Sequence, residues 1–197
     1  MEVMDTKIIL ASKSRARYEL LKSLGFDIEV VEPHAKERKA KSPKEVISVV
    51  VDNSYRKALS VKTESIVVAA DTLVFDDNIV FGKPSSIEEA REMILYLNGR
   101  WHNVASGLSI VFPDRDVISL YDIARVKFKV LTQEEIEFYV LTRESLGKAG
   151  GYGLQGPGLF LVEKIYGHPS TIIGLPIHRF VDALSEKGYW PPKEPRS

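Results

Sequence analysis

The chain has 197 residues, of which 44% are hydrophobic and 27% charged, a balance that suits one sizeable core in one domain or two small lobes and excludes disordered and fibrous classes. Its 27 basic and 27 acidic residues cancel, so no bulk field draws it to nucleic acid or to an anionic membrane, although a local anion site is independent of the total. With no cysteine, disulfides, thiolate metal sites and cysteine nucleophiles are excluded.

The opening MEVMDTKIIL carries acidic residues before a short apolar run, unlike a signal peptide, and no run approaches the length of a membrane span. A soluble, cytoplasmic protein is the expectation. Residues 8–11 read as a buried strand. From Ser14 to Leu24 the apolar residues Ala16, Leu20, Leu21 and Leu24 have helical spacing, and Gly25 suits the stop. Residues 26–31 alternate as a strand. The lysine-rich stretch 32–45 reads as a solvated, mobile loop, followed by a helix from about Pro43 to Ser60. The apolar run 66–70 predicts a buried strand that delivers Asp71 at its C-terminal end.

Residues 73–82 predict a hairpin turning at Asp77-Asn78. Ser86 with Glu89, and Thr132 with Glu135, are spaced as capping boxes for helices ending near Leu97 and Leu141. Between those helices, Val104–Phe112 and Val117–Val130 read as long strands turning at Pro113-Asp114. Residues 147–158 hold six glycines in twelve positions. A strand over 160–165, a loop, and a last helix after Pro176 complete the pattern, with a frayed tail over 191–197. The expected fold class is α/β: an elongated mixed sheet with flanking helices and two lobes around a central cleft, as one domain over 1–197.

Several positions carry chemistry. The turn Ser12-Lys13-Ser14-Arg15-Ala16-Arg17 joins a buried strand to a helix start, where free N–H groups and the helix dipole favour an anion; a helix cap with solvated basic residues would serve the same sequence. There is no glycine-rich GK[ST] loop, which excludes a Walker-type kinase. A carboxylate ending an apolar strand, as Asp71 does, is costly unless it meets a cation, a metal or a donor. Arg17, Lys57 and Lys83 together can neutralise a polyphosphate. The glycine-rich loop lets backbone approach a ligand, with Lys148, Tyr152 and Gln155 presenting polar groups, or it is a set of bends. The four histidines show no ligand spacing, and His102 reads as structural. Asp71 with Glu37 remains as a paired-acid candidate for metal.

The segments LASKSRARYELL, AADT (69–72), FGKP (81–84), NGRWHNVASG (98–107), EEIEFYV (134–140), KAGGYGLQG (148–156) and GLPI (174–177) follow in the order and spacing of one family. Nearly the whole chain resembles the Maf nucleoside triphosphate pyrophosphatases, which are similar in fold to the inosine-triphosphate pyrophosphatases. The resemblance implies metal-dependent hydrolysis of a nucleoside triphosphate to the monophosphate and pyrophosphate, with magnesium or manganese, and commonly a homodimer. It implies Asp71 as the catalytic acid residue, Ser12, Arg17, Lys57 and Lys83 as phosphate ligands, Glu37 with Asp71 at metal, and Thr72 and Gln155 in base choice, as in the branch acting on dTTP and UTP. Where the family has proline, arginine, aspartate and two threonines, this chain has Arg15, Ala16, Gly147, Ala124 and Ser106. On a helix start Arg15 points about 100° away from Ala16. The same resemblance admits a nucleotide-binding regulator of cell division without turnover. A nucleic-acid module using the basic 36–44 loop is a third class; zero net charge and few aromatics near that loop speak against a stable nucleic-acid partner.

Overall fold

A computed structural model describes residues 7–192. The terminal residues, including most of the expected frayed tail, lie outside the described residues.

The chain opens with β1 (Lys7–Ala11), whose apolar run is buried from Ile8 onward, then α1 (Arg15–Ser23), capped at Ser14 by a hydrogen bond from Arg17 N. Strand β2 (Asp27–Val31) returns parallel to β1, and after a long loop and a single 3₁₀ turn α2 (Val46–Leu59) crosses the sheet. Strand β3 (Ile66–Phe75) lies parallel to β1 over only three registered pairs, Ile8–Leu10 with Ile66–Val68. Beyond that point β3 keeps only its antiparallel neighbours. The expectation that the strand ends at Asp71 is therefore corrected. The strand runs on to Phe75, and Asp71 sits mid-strand, where β1 has ended and the sheet opens on that side. Its peptide groups stay in the ladder with β5, which is why a carboxylate there does not break the strand.

The hairpin to β4 (Val80–Phe81) forms as expected, and Asp76 organises its turn by accepting from Asn78 N and Ile79 N at 2.8 Å. Helix α3 (Ile87–Leu97) starts at Ser86, whose side chain accepts from Glu89 N. The expected capping box is only half formed, because the Glu89 carboxylate accepts from Ser85 N and Oγ at 2.7 Å instead. Strands β5 (Trp101–Val111) and β6 (Val117–Phe128) pair antiparallel, and α4 (Gln133–Leu141) carries the complete box of Thr132 and Glu135. The glycine-rich segment forms two 3₁₀ turns, 149–151 and 156–161, before β7 (Val162–Tyr166). The segment expected as a loop holds a short helix, α5 (Pro169–Ile173), closed by Gly174 at φ 111, ahead of α6 (Ile177–Glu186).

The sheet order is β2-β1-β3-β5-β6-β7, with β4 beside β3. One apolar cluster joins Ile8, Leu10, Val68 and Ile110 to Leu21 of α1 and Phe180 and Leu184 of α6. A second joins Val74, Val104, Val126 and Phe128 to Ile94 of α3 and Tyr139 of α4. Strands β3 and β5 are long enough to serve both clusters. That continuity makes two lobes on one sheet, and the cleft falls between them.

One contact fixes α2. At Gly107 of β5 an added Cβ would come within 2.2 Å of the Val50 carbonyl oxygen, so the helix backbone rests directly on the strand backbone. Asn53 and Lys57 follow Val50 on the same buried face of α2.

Candidate active site

The cleft is a cavity of about 1030 Å³ lined by the β1–α1 turn, loop 32–37, Lys57, β3, Lys83 and the glycine-rich segment. Its volume suits a ligand of nucleotide size.

Asp71 is 6% exposed and each of its oxygens has a partner. Lys57 Nζ donates to Oδ1 at 2.8 Å, and Asn53 Nδ2 donates to Oδ2 at 2.8 Å. Lys57, also 6% exposed, bridges to Glu37 Oε1 at 2.6 Å. A buried carboxylate and a buried ammonium at this distance compensate each other's lost hydration; either alone would be a large liability. Burial by itself raises the Glu37 carboxyl, but the Lys57 hydrogen bond and the charges of Lys57, Lys83 and Arg17 outweigh it and hold the group below its ordinary value.

Asn53 was not among the residues expected from the sequence. Its Oδ1 accepts from Arg38 N at 2.7 Å, and its Nδ2 donates to Arg38 O at 3.0 Å as well as to Asp71. One amide therefore ties both peptide groups of Arg38 to the central carboxylate. The 32–45 segment is solvated, as expected, but it is tied to α2 at His34 and Arg38 and brings Glu37 to the cavity. The available signal was spacing alone: Asn53 precedes Lys57 by four residues, one helical turn.

Arg17 forms the second knot. Its Nε donates to Gly174 O at 2.8 Å, Nη1 to Ala70 O at 2.9 Å and Ser12 Oγ at 3.2 Å, and Nη2 to Thr72 Oγ1 at 3.2 Å. These contacts use four of the five guanidinium donors. Burial lowers its pKa from the ordinary arginine value, opposed by the charges of Asp71 and Glu37. Ser12 Oγ accepts from Arg17 and from Ser14 N at 3.1 Å, which leaves its own proton for an anion in the cavity.

The structure thus brings Asp71, Lys57 and Glu37 into one ionic group and Ser12, Arg17 and Thr72 into one hydrogen-bonded group. Lys83 and Gln155 are exposed on the cavity wall. Two expected polar groups are spent elsewhere. Tyr152 Oη is 2.7 Å from His102 Nε2 inside the second lobe, and Lys148 pairs with Glu144 at 2.5 Å. His102 is 1% exposed, packed edge-on against Phe128 and Tyr152, and burial lowers its pKa to about 4.

Asp71 and Glu37 converge on a single point, held by Lys57 Nζ. Among the described residues no group of three His, Cys, Asp or Glu comes together as a ready-made metal cage. Two carboxylates on the wall of this cavity fit a hard divalent cation that takes its remaining ligands from phosphate oxygens and water.

Residues 7–187 match the family described as Maf-like protein. The chain is 44% identical over 182 residues to a Thermosipho africanus protein named dTTP/UTP pyrophosphatase, covering 92% of this chain and 94% of that one. It is 41% identical over 180 residues to a Thermosipho melanesiensis protein of the same name, covering 91% and 97%. Among solved structures, the Staphylococcus aureus Ham1 protein superposes with a TM-score of 0.50 at 14% identity, covering 93% of this chain and all of that one, a likeness of fold alone. Among the described residues, no helix is long and apolar enough to cross a membrane.

Proposed function

The chain belongs to the Maf-like family, and from that premise we propose that it is a nucleoside triphosphate pyrophosphatase. It cleaves the α–β phosphoanhydride to release the monophosphate and pyrophosphate, with dTTP and UTP as type substrates and a house-cleaning role in the cytoplasm. The observation that carries the reading is the buried Asp71–Lys57 ion pair, joined by the half-exposed Glu37, at the wall of a nucleotide-sized cavity. An ionic cluster of this kind adds nothing to packing that apolar residues would not supply. Its worth lies in preorganised charge at a reacting centre.

In this reading the triphosphate lies with its anionic oxygens toward Lys57, Lys83 and the free proton of Ser12. Arg17 contributes positive charge and braces Ser12 and Thr72 with the donors it has already committed. Asp71 accepts the proton of a water molecule as that water adds to phosphorus in line. The new P–O bond forms as the α–β P–O bond breaks, and pyrophosphate departs with the bonding electron pair. Lys57 holds the Asp71 carboxylate in position and offsets charge that grows on the leaving oxygens. Asp71 and Glu37 would hold the divalent metal, magnesium or manganese, which supplies charge neutralisation and a more acidic bound water. Gln155 and Thr72 face the base.

The test is pyrophosphate release from dTTP, UTP, CTP, ITP and modified uridine and guanosine triphosphates, with magnesium, with manganese and with chelator. Metal-dependent release of one pyrophosphate per monophosphate is expected, highest on dTTP or UTP. Nucleotide binding without release on any of them would move the chain to the regulator class. The homodimer implied by the resemblance is part of the proposal: sedimentation should give twice the 22.1 kDa chain mass, and a species of single mass would remove it.

A further inference from the structure

Around Thr72 the hydroxyl protons can be assigned one at a time. Ser106 Oγ is 2.8 Å from the Thr171 carbonyl oxygen and 2.7 Å from Thr72 Oγ1. A serine hydroxyl has one proton, and a carbonyl oxygen only accepts. The Ser106 proton is therefore committed to Thr171, and Thr72 donates its own proton to Ser106. Thr72 Oγ1 also accepts from Arg17 Nη2 at 3.2 Å. The Gly174 carbonyl, at 3.4 Å, is too distant to compete for the Thr72 proton. A hydroxyl oxygen has two lone pairs. What Thr72 has left for a ligand is one lone pair and no proton.

The place of this lone pair matters. Thr72 and Ser106 are registered partners on β3 and β5, as are Val74 and Val104, so all four share one face of the sheet. Asp71, one residue away, turns to the other face, toward α2. Thr72, Val74, Val104, Tyr152 and Ile172 all line the cavity. The apolar members belong to one cluster, a wall suited to a flat ring. Ser106 itself is fully buried behind Thr72 and does not line the cavity.

We propose that Ser106 is a specificity-determining residue: by taking the Thr72 proton it makes Thr72 an obligate acceptor, which selects bases that present a ring N–H. Uracil and thymine carry such an N–H at N3. Cytosine presents a bare acceptor nitrogen there, which would set two lone pairs against each other. This rests on the reading above that a nucleotide base occupies this end of the cavity.

The test measures binding of the α,β-methylene analogues of UTP and CTP by calorimetry, so that its outcome does not depend on turnover. The wild-type chain is expected to bind the uracil analogue at least about tenfold more tightly. Ser106→Ala frees the Thr72 proton to turn toward a bare nitrogen, so the ratio should fall toward unity, chiefly through tighter binding of the cytosine analogue. A packing role alone would weaken both analogues equally. Ser106→Thr keeps the hydroxyl and should restore the ratio. In Thr72→Val the ratio should already be near unity, and adding Ser106→Ala should change it no further. Equal binding or no binding of the two analogues by the wild type, or an unchanged ratio in folded Ser106→Ala, overturns the proposal. If Ser106→Ala does not fold, an unchanged ratio in Thr72→Val overturns it in the same way. Pyrophosphate release in the same samples tests the hydrolase separately: base-selective binding without release keeps the relay and removes the enzyme.

Discussion

Asn53 shows how much one side chain can set. It makes three hydrogen bonds, two to Arg38 and one to Asp71, which commit both of its amide protons. Asn53→Ala should detach the loop that carries Glu37 and leave Asp71 short of a donor. We expect kcat/KM to fall about 10- to 100-fold and stability to fall by about 1–3 kcal/mol. Asn53→Asp makes a sharper test, because it sets a second carboxylate where the amide now lies 2.8 Å from Asp71 Oδ2. Like charges this close raise the apparent pKa of the pair, so the acid limb of the pH–rate profile should move to higher pH. An unmoved limb in a folded Asn53→Asp variant would show that Asn53 does not address the reacting carboxylate. The residue was not legible in the sequence, because an asparagine in the polar run Asp52-Asn53-Ser54 reads as solvent-facing. Asp71 stood out because a carboxylate at the end of an apolar run is conspicuous, whereas Lys57 and Arg17 were legible only together with Lys83, as a set of cations, and through the resemblance. Asn53 acts through hydrogen-bond direction, which sequence patterns do not carry.

At the scale of elements, the site depends on where α2 rests. Gly107→Ala would place a methyl carbon only 2.2 Å from the Val50 carbonyl oxygen. A backbone contact cannot yield as a flexible side chain does, so the helix must shift and carry Asn53 and Lys57 with it. A loss of about 1–3 kcal/mol in denaturant unfolding is expected, together with a fall in kcat. Gly82→Ala, where an added Cβ meets nothing within 4 Å, is the control for stability. Wild-type stability and rate in Gly107→Ala would remove this account of α2. Most elements were legible from period and caps. The misses share one physical cause, which is that tertiary partners override local signals. Asp71 and Thr72 look like a strand end, yet pairing with Gly107 and Ser106 of β5 carries β3 onward. The Pro169–Ile173 segment looks like a loop, yet buried Ser170 and Thr171 hold it as a turn of helix against β5 and β6. Glu89 was expected to complete a box with Ser86, and Ser85 captured it with both its N–H and its hydroxyl.

At the scale of the molecule, one sheet runs through both lobes, and we infer that the described residues form a single cooperative domain. The two tryptophans, Trp190 packed on Phe26 in the first lobe and Trp101 stacked on Tyr166 in the second, can report on each half. His102 supplies a pH trigger. Burial lowers its pKa from 6.5 to about 4, so the fold favours the neutral ring. Its contribution is fully present above pH 6.5 and is lost as the pH falls from there toward about 4. The expected loss is on the order of 3 kcal/mol. Both tryptophan signals should lose stability together across that window, and His102→Gln should flatten the slope. Separate transitions for Trp101 and Trp190 would divide the chain into two domains.

The central claim is that Asp71 performs chemistry and does not merely anchor Lys57. The direct measurement is steady-state pyrophosphate release from dTTP and UTP by Asp71→Asn, beside calorimetric binding of the uncleavable UTP analogue. The side chain keeps its size and one acceptor oxygen but loses its charge. A fall in kcat of about 10²- to 10⁴-fold, with binding of the analogue held within a few-fold of wild type, is the predicted result; near wild-type turnover in that variant would contradict the account.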